Sequence, residues 1–483
     1  MPSGTLVAGV DSSTQSTKVV IVDAETGQIV AQGHAPHVVS GTDGARESDP
    51  RGWWSALRAA LAATGRAKEV RAIAIGGQQH GLVVLDGRGS PLRDAILWND
   101  TRPAVDAERL TEALGVEAWA TLTGLRPVAS FTVCKWAWLR RTEPDLVRSV
   151  AAIRLPHDYL TERLTGHATT DRGDASGTGW WSPATGSYLG QILELPQVQL
   201  QPDLLPDIRG PWEAAGTVTT TASEAIGLAP GTVVGPGTGD NMAAALGVGL
   251  AVGQAAMSLG TSGTIFAVSD TPAADPRGIV AGFADATGRY LPLAATLNCT
   301  QAVDRMAGWL GLDRDDVAPA GPVVVLPYLD GERTPNLPTA SGTIAGLRHT
   351  TTPQQILMAT YEGAVASLLV AFDAIDAAVG GLDPALPLML VGGGARGRTW
   401  RSVVGRLTGR AVLVPVAGEL VALGAAVQAT AILRGERPAA IAARWGSASG
   451  ELLDPVPIDG DRLDLNRAAL DSAIAQQQVP RNT

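Results

Sequence analysis

An aspartate closing one apolar run, a stretch of small hydroxyl residues and a second apolar run open the chain: Leu6-Val-Ala-Gly-Val-Asp11-Ser-Ser-Thr14-Gln15-Ser16-Thr-Lys18-Val-Val-Ile-Val. A hydroxyl-rich turn between strands leaves backbone N–H groups free to face an anion. Asp11 can orient a hydrated divalent cation, and Lys18 can supply positive charge. The chemistry that combination would serve is the handling of a phosphate, although the same residues also fit an ordinary hairpin turn. The pattern returns far down the chain as Ala256-Met-Ser-Leu-Gly260-Thr261-Ser262-Gly263-Thr264-Ile-Phe-Ala-Val. Two such clips imply two related halves, a duplicated α/β domain with a cleft between the copies.

Three further places could contribute. Asp240 follows a strand-like run in a Gly-rich turn and precedes Asn241 and a helix of small residues. Facing a hydroxyl substrate and a nucleotide, its carboxylate could accept the hydroxyl proton; a Gly-Asp-Asn turn is also a common structural device. Gln79 and His80, flanked by glycines between two strands, suit vicinal hydroxyls, while a lone histidine there is equally at home as a satisfied structural residue. Gly392, Gly393 and Gly394, after a strand and before a helix, let backbone approach a nucleotide at a helix N-terminus. Neither GxGxxG nor GxxxxGK[ST] occurs, so neither a Rossmann fingerprint nor a P-loop is supported.

The elements that must hold these residues can be read in turn. Strands are expected near 6–11, 18–24 and 28–33. A helix capped by Asp49 with Pro50 in its first turn should then pack through Trp53, Trp54, Leu57, Ala60 and Leu61. Val70–Ile75 and Leu82–Leu85 read as strands, 150–235 as loop-rich, and 249–253 as the boundary between domains spanning 1–250 and 251–483. Beyond it come a strand at Val323–Leu326, a long helix from Pro353, strands at Leu388–Val391 and Val412–Val416, and a final helix near Leu420.

With 483 residues, 45% hydrophobic and 17% charged, the chain has the composition of a packed two-domain enzyme. A net charge of −10 argues against a nucleic-acid partner. Cys134 and Cys299 lack metal or disulfide spacing, and the six histidines are scattered. The start of the chain has no signal-peptide pattern, and the uncharged stretch 241–269 is broken by glycines. A cytoplasmic protein without a membrane span is therefore expected. Twelve tryptophans leave a homodimer interface open.

Together these residues resemble the FGGY carbohydrate kinases, within the actin, hexokinase and heat-shock ATPase group. Lys135-Trp-Ala-Trp138-Leu139 looks like the first family signature, and Gly342 to Leu347 through Gln355-Ile356 and Ala359 to Glu362 fit the second. The loop Leu326 to Pro335 resembles that of pentulose kinases, and the likeness is greatest to the xylulokinase branch, through Gly77 to Gly81, Leu97 to Arg102, Asp174 to Thr178 and Gly239 to Asn241. One departure is Gln79, where many of that branch carry methionine; an amide hydrogen-bonds where a thioether packs. The resemblance implies two ribonuclease-H-like domains around a cleft and phosphorylation of D-xylulose, or a similar ketopentose, from ATP with Mg²⁺. It implies Asp240 as base, Gln79, His80 and Asn241 on the sugar, and Asp11 governing the metal through water. It further implies Thr14, Gln15, Ser16, Lys18, Gly260, Thr261 and Ser262 facing phosphates, with Gly393, Gly394 and Ala395 near adenosine. The alternatives are another acceptor such as ribulose, a deoxy sugar or a polyol, and a sugar sensor that binds nucleotide without turnover.

Overall fold

A computed structural model describes residues 4–478. The opening run forms the strand Leu6–Ser12, antiparallel to Ser16–Asp23, which pairs in turn with Ile29–Pro36. On its other side Val70–Gly77 runs parallel to Leu6–Ser12, then Val233–Val234 parallel and Gly216–Thr217 antiparallel. The second half repeats this plan. Ala255–Leu259 pairs antiparallel with Gly263–Ala267, which pairs with Tyr290–Thr296. On the other side lie Leu388–Val391 and Val412–Pro415 in parallel and Gly450–Leu453 antiparallel. The continuous apolar runs of the central strands fit positions covered on both faces.

Helices cover the sheets as the apolar spacing requires. Asp49 accepts the Arg51 N–H at 2.9 Å to start Pro50–Ala63, which buries Trp53, Ala56, Leu57, Ala60 and Leu61. Thr352 and Gln355 form a capping box at the head of Pro353–Val379. The helix Leu420–Arg434 does not lie over the second sheet. It buries Ala422, Ala425, Ala426 and Ala429 against Val7, Val20, Val22, Ala72 and Ala74 of the first. It also crosses the helix Asp240–Gly247 so closely that a Cβ on Gly424 would sit 1.8 Å from the Ala243 carbonyl oxygen. A Cβ on Gly247 would sit 1.9 Å from that of Leu420. The halves meet again where Ala284 N–H donates to Ser176 Oγ at 2.9 Å and Gly282 N–H to the Gly124 carbonyl at 2.8 Å.

The stretch 150–235 is rich in loops, as expected, but also holds the helices Pro156–Thr165, Arg172–Ala175 and Thr220–Ile226. The first of these starts on Pro156, with Asp158 accepting the Leu155 N–H at 2.8 Å. Tyr159, Leu160 and Leu164 pack into the first core, while His157 and Asp158 are buried in its first turn, so the apolar face is short and broken by charge-bearing residues. One expectation is corrected: the helix at Leu420 is not the last, because Pro438–Trp445 and Gly460–Gln478 follow. Both cysteines are buried, which pushes each thiol up to about 12. Among the described residues no helix is long and apolar enough to cross a membrane.

Candidate active site

Parallel pairing brings the ends of three strands to one edge. Ser12 lies opposite Gly77, and Gly77 opposite Gly239 of Thr238–Gly239. Asp11, Gln79, His80 and Asp240 thereby converge from distant parts of the chain, at the carboxyl ends of strands where open α/β sheets bind ligands.

Asp240 opens the helix Asp240–Gly247 and is only partly exposed. Its Oδ1 accepts from the Asn241 N–H at 2.8 Å and from Asn241 Nδ2 at 2.9 Å. Burial pushes its pKa up to about 7, and the negative charges of Asp11 and Asp174 push the same way, against those two hydrogen bonds. Asn241 Nδ2 also donates to Gln79 Oε1 at 2.8 Å, which leaves Gln79 Nε2 buried and without a partner. Only glycine fits at 239, since a Cβ there would lie 2.6 Å from Gln79 Cγ.

Asp11 is buried and accepts from Ser13 Oγ at 2.5 Å; burial raises its pKa, with Lys18 opposing. Lys18 itself is engaged across the halves, its Nζ donating to Glu419 Oε2 at 2.9 Å. Thr14 Oγ1 accepts from Trp98 Nε1 at 3.1 Å, Gln15 is exposed and Ser16 half-buried. In the second clip the Gly260 carbonyl accepts from Thr300 N–H and Oγ1 at 3.0 and 2.7 Å, leaving Thr261 and Ser262 exposed. The third glycine segment lies beside it. A Cβ on Gly392 would come 2.8 Å from the Leu259 carbonyl oxygen, and one on Gly394 2.7 Å from Leu259 Cβ. Gly393 is open, with nothing within 4 Å of its Cβ position, and Ala395 is buried beneath.

His80 has a left-handed backbone, φ 65°, and packs edge-on to Phe131 at 5.1 Å and near Phe283 of the second half at 5.4 Å. Burial, followed by the charges of Lys135 and Arg333, holds its pKa well below the usual value, so the ring is neutral. Behind it lies a charged cluster that sequence reading missed. His157 Nε2 sits 3.4, 3.5 and 3.3 Å from carboxylate oxygens of Asp158, Asp171 and Asp174. Burial opposes its charge, but the carboxylates win and raise its pKa well above normal. Asp171 in turn accepts from Thr238 Oγ1 at 2.6 Å, tying the cluster to the strand that leads into Asp240. Burial lowers the ammonium of Lys135, in the first signature, to about 7. The meeting of the cluster's residues is long-range, so no short stretch of residues signals it. Glu419 carried no signal of its own.

Comparison with known proteins gives this geometry a family. The N-terminal and C-terminal domain models of the FGGY family of carbohydrate kinases match residues 6–247 and 255–432. The chain is 58% identical to a xylulose kinase of Streptomyces rubiginosus over 97% of each chain, and 34% identical to that of Escherichia coli over 94% of each. Among solved structures it superimposes on a xylulose kinase from Bifidobacterium adolescentis at 36% identity and a TM-score of 0.85, over 96% of this chain and 99% of that one. A glycerol kinase from Plasmodium falciparum shares the fold at 19% identity and a TM-score of 0.86. With both domain models matched in order, the chain belongs to the FGGY family of carbohydrate kinases.

Proposed function

We propose that the protein transfers the γ-phosphoryl group of ATP to the primary hydroxyl of D-xylulose, giving the 5-phosphate, with Asp240 as general base. The observation that carries this reading is Asp240, a partly exposed carboxylate at a strand edge with a pKa near 7, coupled through Asn241 to the buried free donor of Gln79. Support for the substrate comes from relatives named xylulose kinase that align over nearly the whole chain. An alcohol is far less acidic than a carboxyl, so Asp240 orients the hydroxyl first and takes its proton late, after charge has moved onto phosphorus. Gln79 Nε2 donates to a sugar hydroxyl, and the neutral His80 and Asn241 complete the sugar contacts.

The nucleotide side uses the two clips, with their N–H groups on phosphate oxygens and Gly393 to Ala395 against adenosine. Asp11 is suited to a metal. It is a buried carboxylate whose burial disfavours its charge, and no group of three or more candidate ligands stands nearby among the described residues. So sparse a set of hard oxygens fits Mg²⁺, which keeps waters and binds chiefly phosphate oxygens. When bound, the ion would neutralise charge on the phosphates. Closure of the halves excludes water and limits idle ATP hydrolysis, and we assign the protein to the cytoplasm.

The test is ADP release with Mg–ATP across D-xylulose, L-xylulose, D-ribulose, L-ribulose, glycerol and no sugar. Stimulation by D-xylulose that is lost in Asp240→Asn supports both substrate and base. Preference for another sugar replaces the substrate and keeps the kinase, whereas nucleotide binding with no stimulated turnover makes the protein a sensor.

A further inference from the structure

The loop Leu326 to Pro335, singled out in the sequence, has no part in the site described so far. At its centre stands Glu332, a buried residue whose backbone is fixed by a two-way pair with Leu337, N–H to carbonyl at 2.9 Å in each direction. From that fixed point its carboxylate reaches the segment that follows the strand Tyr290–Thr296. Oε1 accepts from the Leu297 N–H at 2.5 Å and the Arg333 N–H at 2.8 Å. Oε2 accepts from the Asn298 N–H at 3.2 Å and Asn298 Nδ2 at 3.1 Å. Asn298 ties the two together again, donating to the Gly331 carbonyl at 2.8 Å and accepting from the Leu329 N–H at 3.1 Å.

The same segment holds the second clip. The Cys299 N–H donates to the Thr261 carbonyl at 3.3 Å, and the Thr300 N–H and Oγ1 donate to the Gly260 carbonyl at 3.0 and 2.7 Å. Ser262 Oγ donates back to the Leu297 carbonyl at 3.3 Å. In a trans peptide the carbonyl and the N–H of the next residue point in opposite directions, and the peptides of this clip are trans. Drawing the Gly260 and Thr261 carbonyls toward Thr300 and Cys299 therefore turns the N–H groups of Thr261 and Ser262 the other way, and both of these residues are exposed.

We propose that Glu332 is a positioning residue for the nucleotide: by fixing residues 297–300 it sets the peptide planes of the clip so that the Thr261 and Ser262 N–H groups meet a phosphate of ATP. The inference rests on the proposed reading of the clip as a phosphate site and adds the residue that holds it in shape. A buried carboxylate suits that task, because its two oxygens accept from several N–H donors at once and each such bond is stronger than one between neutral groups. Donors already aimed at the anion need no reorganisation when it arrives.

Glu332→Gln, Glu332→Asp and Thr300→Val, compared with the unaltered protein by calorimetric binding of ATP and of adenosine and by steady-state kinetics, test it. Gln keeps the size but sets an amide NH2 against backbone N–H groups. Kd for ATP should then rise about 10- to 100-fold, the worth of a charged hydrogen bond, with Kd for adenosine and KM for D-xylulose at saturating ATP unmoved. Asp keeps both oxygens and should restore part of the loss. Thr300→Val removes a single bond to the Gly260 carbonyl and should weaken ATP by about 2- to 10-fold, and it carries the test if Glu332→Gln does not fold. A merely structural role would lower the melting temperature and leave ATP binding by the folded protein unchanged. That result, an equal loss for ATP and adenosine, or a loss on D-xylulose in place of ATP would each overturn the proposal and leave the kinase reading intact. If the unaltered protein binds ATP but phosphorylates no sugar, the kinase reading falls, and the comparison of ATP with adenosine still decides the role of Glu332.

Discussion

At the scale of single residues, Asp240, as the proposed base, faces two demands that pull apart. A carboxylate must be charged to act as base, yet burial and the negative Asp11 and Asp174 favour the protonated form. The limb of kcat/KM governed by this group should therefore rise with pH through about 7, and a pH profile with D-xylulose checks it. The same shift makes a stability statement. Because the folded-state pKa lies above the ordinary 3.8, the folded protein binds more protons than the unfolded chain between those values, and ionising Asp240 costs stability as pH rises. Asp240→Asn should thus melt higher than the unaltered protein at pH 8, with the gain vanishing near pH 4, while turnover falls by roughly 100- to 10,000-fold. Melting curves at both pH values read the first effect and ADP release the second. Gln79 offers a second case, its Nε2 being a buried donor that lacks a protein partner. Gln79→Met should raise KM for D-xylulose by about 5- to 20-fold through loss of that donor, with little change in kcat, as steady-state kinetics would show.

At the scale of elements, the helices Asp240–Gly247 and Leu420–Arg434 carry the junction between the halves, and each places its first residues by the cleft. Asp240 opens one, and Glu419, which holds Lys18, immediately precedes the other. Their crossing depends on Gly247 and Gly424, where backbone meets backbone. A methyl group at 424 would have to displace the Ala243 carbonyl, so Gly424→Ala should destabilise the protein by at least about 2–3 kcal/mol, measurable by denaturant unfolding. The apolar runs and the cap at Asp49 made strands and helices legible because those signals are local. The crossing was not, because a glycine inside a small-residue helix looks the same whether or not another helix lies against it. Likewise the helix bearing His157 shows only a short apolar face, Tyr159, Leu160 and Leu164, and its buried His157 and Asp158 find partners only after folding.

At the scale of the molecule, ligands expected on both halves predict motion. Nucleotide and sugar together should draw the halves in and reduce the radius of gyration in solution scattering, whereas either alone should do so less; identical dimensions in every state would count against closure. Lys18 and Glu419 already bridge the halves with half-exposed side chains, a contact weak enough in water to rearrange when phosphates arrive. The amino-acid sequence by itself determined the two matching strand–turn–strand units, the glycine turn after Leu388–Val391 and the turn that leads into Asp240, because each is written in a short stretch of residue types whose geometry is local. The tertiary structure alone decided which of these meet. It took the parallel register to set Asp11, Gln79 and Asp240 at one edge, and the return of Leu420–Arg434 onto the first sheet to bring Glu419 to Lys18. Contacts between residues hundreds of positions apart depend on how whole sheets and helices pack, and no short stretch of sequence carries that information.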